Sequence, residues 1–240
     1  MEFLELLQTG RPVLLDGGMG TMLQAKGLPV GATPELTALE HPEWLLDIHR
    51  AYVEAGAQIL YANTFGANRE KLSHCGRTVE EIVPAAVALA KEAAQGRALV
   101  ALDIGPTGQL LEPTGILDFE TAVDILAQVV KAGAAAGADL IVIETMTDLQ
   151  EARAALLAAK ENSGLPVLVT MTYEATGRTF LGCSPAAAAL TLEGMGADAI
   201  GVNCSLGPRE LPPVVVARVR GAARRRVWDA PAGPGARAHD

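Results

Sequence analysis

The chain alternates short apolar runs with longer segments of helical periodicity, and this alternation limits the possible folds more than any other feature. The apolar runs are too short for helices and rich in Val, Ile and Leu, as strands buried on both faces usually are. The predicted strands are Val13–Leu15, Gln58–Tyr61, Ala98–Leu102, Leu140–Ile143, Val167–Met171 and Ala199–Val202. A repeated strand–helix order predicts a parallel sheet with right-handed crossovers.

The segments between the runs carry helix signals. Apolar side chains recur on one face of His41–Ala55 and of Phe119–Ala136, which predicts two amphipathic helices. Asp148 followed by Glu151 resembles a capping box at the start of a third helix. Ser184-Pro185 is a good N-cap and first-turn pair for a fourth.

Polar residues follow many of the predicted strands, and they favour a closed barrel over an open sheet. An open dinucleotide-binding sheet would carry GxGxxG after its first strand, and Gly17–Gly20 does not fit that motif. A (β/α)8 TIM barrel instead builds its active site from the carboxyl ends of several strands. The strand-end groups are Asp16, Asn63, Thr64, Asp103, Glu144, Thr145, Thr172, Asn203 and Cys204. We therefore predict an α/β fold of the TIM-barrel class, with about six of its eight βα units present.

Composition excludes several classes of function. A net charge of -9 argues against nucleic acid as a partner, because phosphate binding needs a basic surface. No apolar run approaches the ~20 residues of a membrane span, and the acidic N-terminus does not resemble a signal peptide. The three cysteines are too few and too widely spaced for a disulfide framework. We expect a cytoplasmic protein that binds neither nucleic acid nor membrane.

Two carboxylates, Asp16 and Glu144, end apolar strands and would meet at the mouth of a barrel. Such a pair could bind an ammonium group, coordinate a hard cation or act as acid and base. Alternatively, each could cap the helix that follows or accept backbone N–H bonds. Gly17 and Gly18 would let backbone N–H groups approach a ligand carboxylate or phosphate, or would simply form a tight turn.

Cys204 ends the last predicted strand and is a candidate nucleophile or metal ligand. A buried cysteine without a function is the more common alternative. No HExxH or CxxC motif accompanies Cys204, and Cys75 and Cys183 receive no role. The residues alone therefore leave its function open.

Several segments together resemble the homocysteine S-methyltransferase family, in particular the N-terminal module of cobalamin-dependent methionine synthase. The similarity runs in order from about Pro12 to Pro213. The matching segments are Leu14–Thr21, His49–Ala57, Asn63–Ala67, Asp103–Gly108, Glu144-Thr145 and Gly201–Pro208. No single motif decides the resemblance, which depends on their order and spacing.

The resemblance implies a (β/α)8 barrel in which zinc binds the homocysteine sulfur and a methyl group is transferred to it, giving methionine. Zinc removes the thiol proton, and the resulting thiolate is the nucleophile. By this match Cys204 is the first of three thiolate ligands. The residues implied for substrate binding are Asp16, Gly17, Gly18, Asn63, Thr64 and Glu144.

The chain departs from the family pattern after its sixth predicted strand. The family's Gly-Gly-Cys-Cys-Gly motif is absent, and no cysteine follows Cys204. We predict that residues 1–213 form an incomplete homocysteine-binding barrel and that the Arg/Ala/Gly/Pro-rich residues 214–240 lie outside it. Methyl transfer by this chain is then expected to be impaired.

Alternative functions remain open at this stage. The chain could be a non-catalytic amino-acid-binding module, or half of a split enzyme. A barrel enzyme acting on a phosphorylated substrate would need a glycine-rich phosphate loop after strands seven and eight, which the sequence lacks. The resemblance to methionine synthase suggests methylcobalamin, on another domain or protein, as the methyl donor.

Overall fold

In the described part of the chain, five parallel strands form one sheet whose spatial order equals their order along the chain. We describe a computed structural model, in which residues 2–205 and 207 are described. The strands are β1 (Ile59–Tyr61), β2 (Leu99–Ile104), β3 (Leu140–Met146), β4 (Val167–Met171) and β5 (Ala199–Val202). Sequential parallel neighbours joined by helices are the arrangement of a (β/α) barrel, and the described residues form part of one.

Helices precede the sheet and connect its strands. The α-helices are α1 (Phe3–Gln8), α2 (Met19–Lys26), α3 (Thr37–Glu40), α4 (Pro42–Glu54), α5 (Arg69–Leu72), α6 (Val79–Ala94), α7 (Phe119–Ala135), α8 (Leu149–Asn162) and α9 (Pro185–Gly194). Two 3-10 turns, Pro34–Leu36 and Ser73–Cys75, join them. No helix in the described part of the chain is long and apolar enough to cross a membrane.

The strands are buried on both faces, which explains their unbroken apolar sequence. One face packs against the connecting helices in the main core. The other face forms the barrel interior, where Phe3 from α1 packs with strand residues such as Ile59, Leu140 and Leu168. These interior residues lie near the beginnings of their strands, so α1 covers the amino-terminal end of the sheet.

The first predicted strand is present only as an isolated bridge. Leu15 pairs in parallel with Ile59, and the backbone N–H of Asp16 donates to the carbonyl of Ile59 at 3.0 Å. Leu14 is 56% exposed, so the described residues cover this segment on one face only. Val13–Leu15 thus occupies the predicted position beside β1 without forming a regular strand.

All four predicted helices are present, but one predicted capping contact is not. Helices α4 and α7 match the predicted segments to within a residue, and Ser184 caps α9 by accepting from the N–H of Ala187 at 3.3 Å. The predicted capping box at α8 is wrong. Asp148 accepts from the N–H of Gln150, but Glu151 turns away to Thr107. Residues 214–240, predicted to lie outside the barrel, fall outside the described residues.

Candidate active site

A cavity of about 450 Å³ opens at the carboxyl ends of the strands. This is the end of a parallel barrel where strand-end side chains converge and where ligands bind. The cavity is lined by Asp16, Gly17, Gly18, Met19, Gly20, Thr21, Pro34, Glu35, Tyr61, Ala62, Asn63, Phe65, Asp103, Glu144, Thr145, Asn203 and Cys204. Six of the seven site residues predicted from the sequence are among them, and Thr64 is not.

Asp16 is held at the cavity by β1. Its Oδ2 accepts a hydrogen bond from the backbone N–H of Tyr61 at 2.9 Å. Asp16 directly follows Val13–Leu15, and Tyr61 is the last residue of β1. The contact between them fixes the carboxylate at the cavity wall.

Gly17 and Gly18 connect Asp16 to α2, and Gly18 is the N-cap of that helix. The first N–H groups of a helix have no partners within it, and they favour an anion. Gly17 is required for space. A Cβ atom there would lie 2.8 Å from the hydroxyl oxygen of Tyr52, which itself donates to the carbonyl of Gly18 at 3.4 Å.

Asn63 and Thr64 follow β1 but face different surroundings. The Asn63 amide lines the cavity and donates to the carbonyl of Pro34 at 2.7 Å and to the hydroxyl of Thr37 at 3.1 Å. Thr64 is buried, and its hydroxyl exchanges hydrogen bonds with the backbone of Asp103 at 2.8 and 3.0 Å. Thr64 therefore ties β1 to β2 behind the cavity.

Asp103, near the end of β2, is a buried carboxyl group of the cavity. Its Oδ1 has no hydrogen-bond partner among the described residues. Burial raises the pKa of Asp103 well above its usual value, and the negative charges of Glu144, Asp16, Glu35 and Cys204 raise it further. The cavity is thus acidic, and its electrostatic potential favours a cationic ligand.

Glu144 ends the regular part of β3, where the pairing with β4 shifts register. Its Oε2 accepts from the side-chain amide of Asn203 at 2.7 Å. The next residue, Thr145, has a φ of 59°, which is uncommon for a β-branched residue. The Glu144 carboxylate is therefore presented from a bent segment that Asn203 supports.

Cys204 follows β5 and is exposed at the cavity, with a φ of 44°. Its Sγ lies 3.6 Å from the Nδ2 of Asn203. An exposed thiol and a set of carboxylates therefore face one cavity. The carboxylates suit a ligand with an ammonium group.

Comparison with known proteins is consistent with that chemistry. The sequence profile described as homocysteine S-methyltransferase matches residues 13–231. The chain belongs to the homocysteine S-methyltransferase family.

Relatives in this family include the methionine synthase of Mycobacterium tuberculosis, 31% identical over 220 residues, which cover 84% of this chain and 18% of that protein. Betaine–homocysteine S-methyltransferase 1 of Xenopus laevis is 33% identical over 85% of this chain and 52% of its own length. The chain thus spans about a fifth to a half of these relatives. The metallated homocysteine methyltransferase MmuM of Escherichia coli shares the fold, with a TM-score of 0.85 at 21% identity over 96% of this chain and 87% of that one.

The described residues provide only part of the zinc site that the family implies. Cys204 lines the cavity, whereas Cys75 and Cys183 do not. Within residues 2–205 and 207, no group of three His, Cys, Asp or Glu side chains is placed to hold a metal ion. A catalytic zinc needs about three protein ligands. The described residues therefore supply one thiolate and do not form the whole site.

Sequence reasoning gave no role to several residues of this homocysteine S-methyltransferase cavity. Glu35 is buried and accepts from the N–H of Gly66, but it lies in a 3-10 turn that no strand-end pattern identifies. The sequence identifies Asn203 as a polar residue at a strand end but does not predict its role. Its contacts involve residues 58 and 59 positions away, so the local sequence does not reveal them.

Proposed function

We propose that this chain binds homocysteine in the cavity and serves as the acceptor domain for methyl transfer to the homocysteine sulfur, which gives methionine. The observation that carries the proposal is the convergence of four carboxyl groups, Asp16, Glu35, Asp103 and Glu144, with the Cys204 thiol on one cavity. An α-amino acid with a thiol side chain complements that arrangement. Family membership supports the same choice.

The amino-acid end of the ligand is the part that this chain recognises. The carboxylates of Asp16 and Glu144 receive the ammonium group, since charge-assisted hydrogen bonds are the stronger kind. The N–H groups of Gly17 and Gly18, at the start of α2, receive the ligand carboxylate. Asn63 forms a fixed wall, and Thr64 supports the strand that carries Asp103.

The described residues contribute fewer groups to binding the sulfur of the ligand than to binding its amino-acid end. Zinc, when bound in this family, would lower the pKa of the substrate thiol and so provide the thiolate nucleophile. Cys204 would be its first protein ligand. Since the described residues supply no complete site, we propose that the 240-residue chain transfers methyl groups poorly by itself.

A methyl donor must reach the cavity from outside the described residues. The relationship to methionine synthase supports methylcobalamin carried by another domain or protein. The relationship to betaine–homocysteine S-methyltransferase keeps a small-molecule donor open. We also propose that residues 1–213 are the homocysteine-binding barrel and that residues 214–240 are separate from it.

A second candidate function is an amino-acid-binding module without methyl transfer. Among the described residues, Cys204 is the one cysteine that lines the cavity, and this favours a binding module. The described residues that bind the amino acid do not need the metal. A split enzyme, in which another polypeptide completes the zinc site, would bind the amino acid equally well. Turnover that appears after adding the cysteine-bearing C-terminal segment of a relative would support the split enzyme and exclude the binding module.

Calorimetric titration tests the recognition proposal. The ligands are L-homocysteine, L-homoserine, in which a hydroxyl replaces the thiol, and 4-mercaptobutyrate, which lacks the ammonium group. We expect the first two to bind and the third to bind much more weakly. Glu144→Gln should weaken L-homoserine binding by roughly tenfold or more, the effect of one charged hydrogen bond.

Glu161→Gln, at an exposed position of α8 outside the cavity, is the matched control and should leave affinity unchanged. Equal binding of all three ligands would show that the carboxylates do not read an ammonium group. The absence of binding by both amino acids would refute the proposed function.

A further inference from the structure

Asn203 lies at the centre of the hydrogen bonds behind the cavity. It follows β5 directly, and only 3% of the residue is exposed. Its backbone is fixed on both sides, because its N–H donates to the carbonyl of Met171 at 3.3 Å and its carbonyl accepts from the hydroxyl of Ser205 at 2.8 Å. The side chain therefore projects from a well-determined position.

The side-chain amide of Asn203 uses all of its ordinary hydrogen-bonding capacity on the protein. Oδ1 accepts from the N–H of Thr145 at 3.0 Å and from the hydroxyl of Thr170 at 2.9 Å. Nδ2 donates to Glu144 Oε2 at 2.7 Å and to the hydroxyl of Thr145 at 2.8 Å. An amide oxygen has two lone pairs and an amide nitrogen two hydrogens. Asn203 therefore has nothing left for a substrate, and any effect on binding must act through a neighbour.

These contacts join three strands at the cavity end of the sheet. Strand β4 lies between β3 and β5, so the Asn203 side chain spans the top of β4 to reach Glu144 and Thr145 on β3. Thr170 supplies the contact from β4 itself. The side chain thus replaces the backbone ladder where the pairing of β3 with β4 becomes irregular after Ile143.

The two residues beside these contacts adopt a left-handed backbone. Thr145 has a φ of 59° and Cys204 a φ of 44°, a region that L-residues rarely occupy because the Cβ atom is crowded. Asn203 binds both the N–H and the hydroxyl of Thr145, so it offsets the cost of that conformation. Without Asn203, Thr145 would relax and the adjoining Glu144 carboxylate would move with it.

We propose that Asn203 is a positioning residue that fixes the Glu144 carboxylate for the ammonium group of the ligand. The inference depends on the proposed function, since it assumes that Glu144 contacts an amino acid. One measurement distinguishes this role from a purely structural one. Loss of a positioning residue lowers the affinity for a ligand that has an ammonium group, whereas loss of a residue that only connects strands lowers the stability of the fold.

The test uses the full chain and L-homoserine as the probe, with thermal melting measured on each variant. Asn203→Ala should weaken binding by roughly tenfold, as expected for loss of a hydrogen bond to a charged group. Adding Glu144→Gln to Asn203→Ala should cost little more, because the carboxylate is already misplaced. Full additivity of the two changes would overturn the positioning role.

Two further variants separate positioning from folding. Thr170→Val removes one strand contact of Asn203 but leaves its bond to Glu144, so it should lower the melting temperature without weakening L-homoserine binding. Adding Thr145→Gly to Asn203→Ala should recover stability, since glycine adopts a positive φ freely. It should not recover affinity, judged against Thr145→Gly alone. Recovery of both together would show that Asn203 acts only through folding.

The outcomes also distinguish this inference from the proposed function. If the unmodified chain binds neither L-homoserine nor L-homocysteine, the proposed function fails and the positioning role fails with it. If the unmodified chain binds L-homoserine and Asn203→Ala binds it equally well, only the positioning role is overturned.

Discussion

The ring of Tyr52 lies against Gly17 so closely that a Cβ atom at position 17 would be 2.8 Å from the phenol oxygen and 3.1 Å from Cε1. The backbone of Gly17 does not have a positive φ. Its small size, and no special backbone conformation, therefore explains why glycine fits there. The close contact places the turn into α2 against α4 and determines the shape of one cavity wall.

We expect Gly17→Ala to destabilise the protein by about 1–2 kcal/mol, because the added methyl group displaces the Tyr52 ring. Gly20, in the first turn of α2, is the matched control, since nothing lies within 4 Å of its Cβ position. Gly20→Ala should stabilise the protein by roughly 0.5–1 kcal/mol through helix propensity. Urea denaturation measures both changes, and equal effects of the same sign would contradict the steric explanation.

His49 gives the fold a dependence on acid. It is fully buried in α4, and neither ring nitrogen has a hydrogen-bond partner among the described residues. Burial lowers its pKa from 6.5 to about 4. His49 therefore becomes protonated below pH 6.5 in the unfolded chain, but only below about pH 4 in the folded chain. The stability of the fold decreases as the pH falls from 6.5 to about 4.

The loss should reach about 3 kcal/mol between pH 6.5 and 4, since one pKa unit corresponds to ~1.4 kcal/mol. His49→Leu should abolish this part of the pH dependence, measured by denaturation at a series of pH values. His74→Gln, at an exposed position, is the control and should follow the unmodified chain. Parallel pH profiles for His49→Leu and the unmodified chain would be inconsistent with the buried neutral imidazole.

Asp103 should act in the opposite direction. Its pKa is raised in the folded state by burial and by the surrounding negative charges. The folded chain therefore retains the proton as the pH rises above 3.8, and its stability decreases until the group ionises. Asp103→Asn should be more stable than the unmodified chain near neutral pH, with an advantage that disappears toward pH 3.8. An advantage that grows on acidification would refute this assignment.

Glu151 holds the loop after β2 against the start of α8. Its Oε1 accepts from the N–H of Thr107 at 2.7 Å and from the hydroxyl of the same residue at 2.6 Å. Thr107→Val removes one of these donors from a buried carboxyl group and should cost about 1–3 kcal/mol of stability. Thr121→Val removes an exposed hydroxyl that donates to Asp118, and it should cost no more than about 0.5 kcal/mol.

The affinity of the chain for zinc should be low, because Cys204 is the one cysteine among the described residues that lines the cavity. We expect the purified 240-residue chain to hold much less than one equivalent of zinc in equilibrium dialysis, because a single thiolate binds the metal weakly. Cys204→Ser should abolish what binding there is, whereas Cys75→Ser should not affect it. Stoichiometric zinc in the unmodified chain would show that the site is complete.

Local sequence patterns are enough to predict the architecture and the end of the barrel at which the site lies. Apolar runs of strand length predict β1 to β5 to within a few residues, because burial of both faces leaves a local pattern. The rule that parallel strands present their carboxyl ends together then places Asp16, Asp103, Glu144 and Cys204 at one cavity. The exception is Val13–Leu15, which forms only the isolated bridge from Leu15 to Ile59.

The contacts that hold these side chains, in contrast, join residues far apart along the chain. Glu151 has the spacing of a capping box, yet its carboxylate binds Thr107, which is 44 residues away. Gly17 is small because of Tyr52, and Glu144 is held by Asn203, 59 residues further along the chain. A local pattern records which face of an element is buried. The partner of a buried polar group depends on which strands and loops the fold brings together, and no local pattern contains that information.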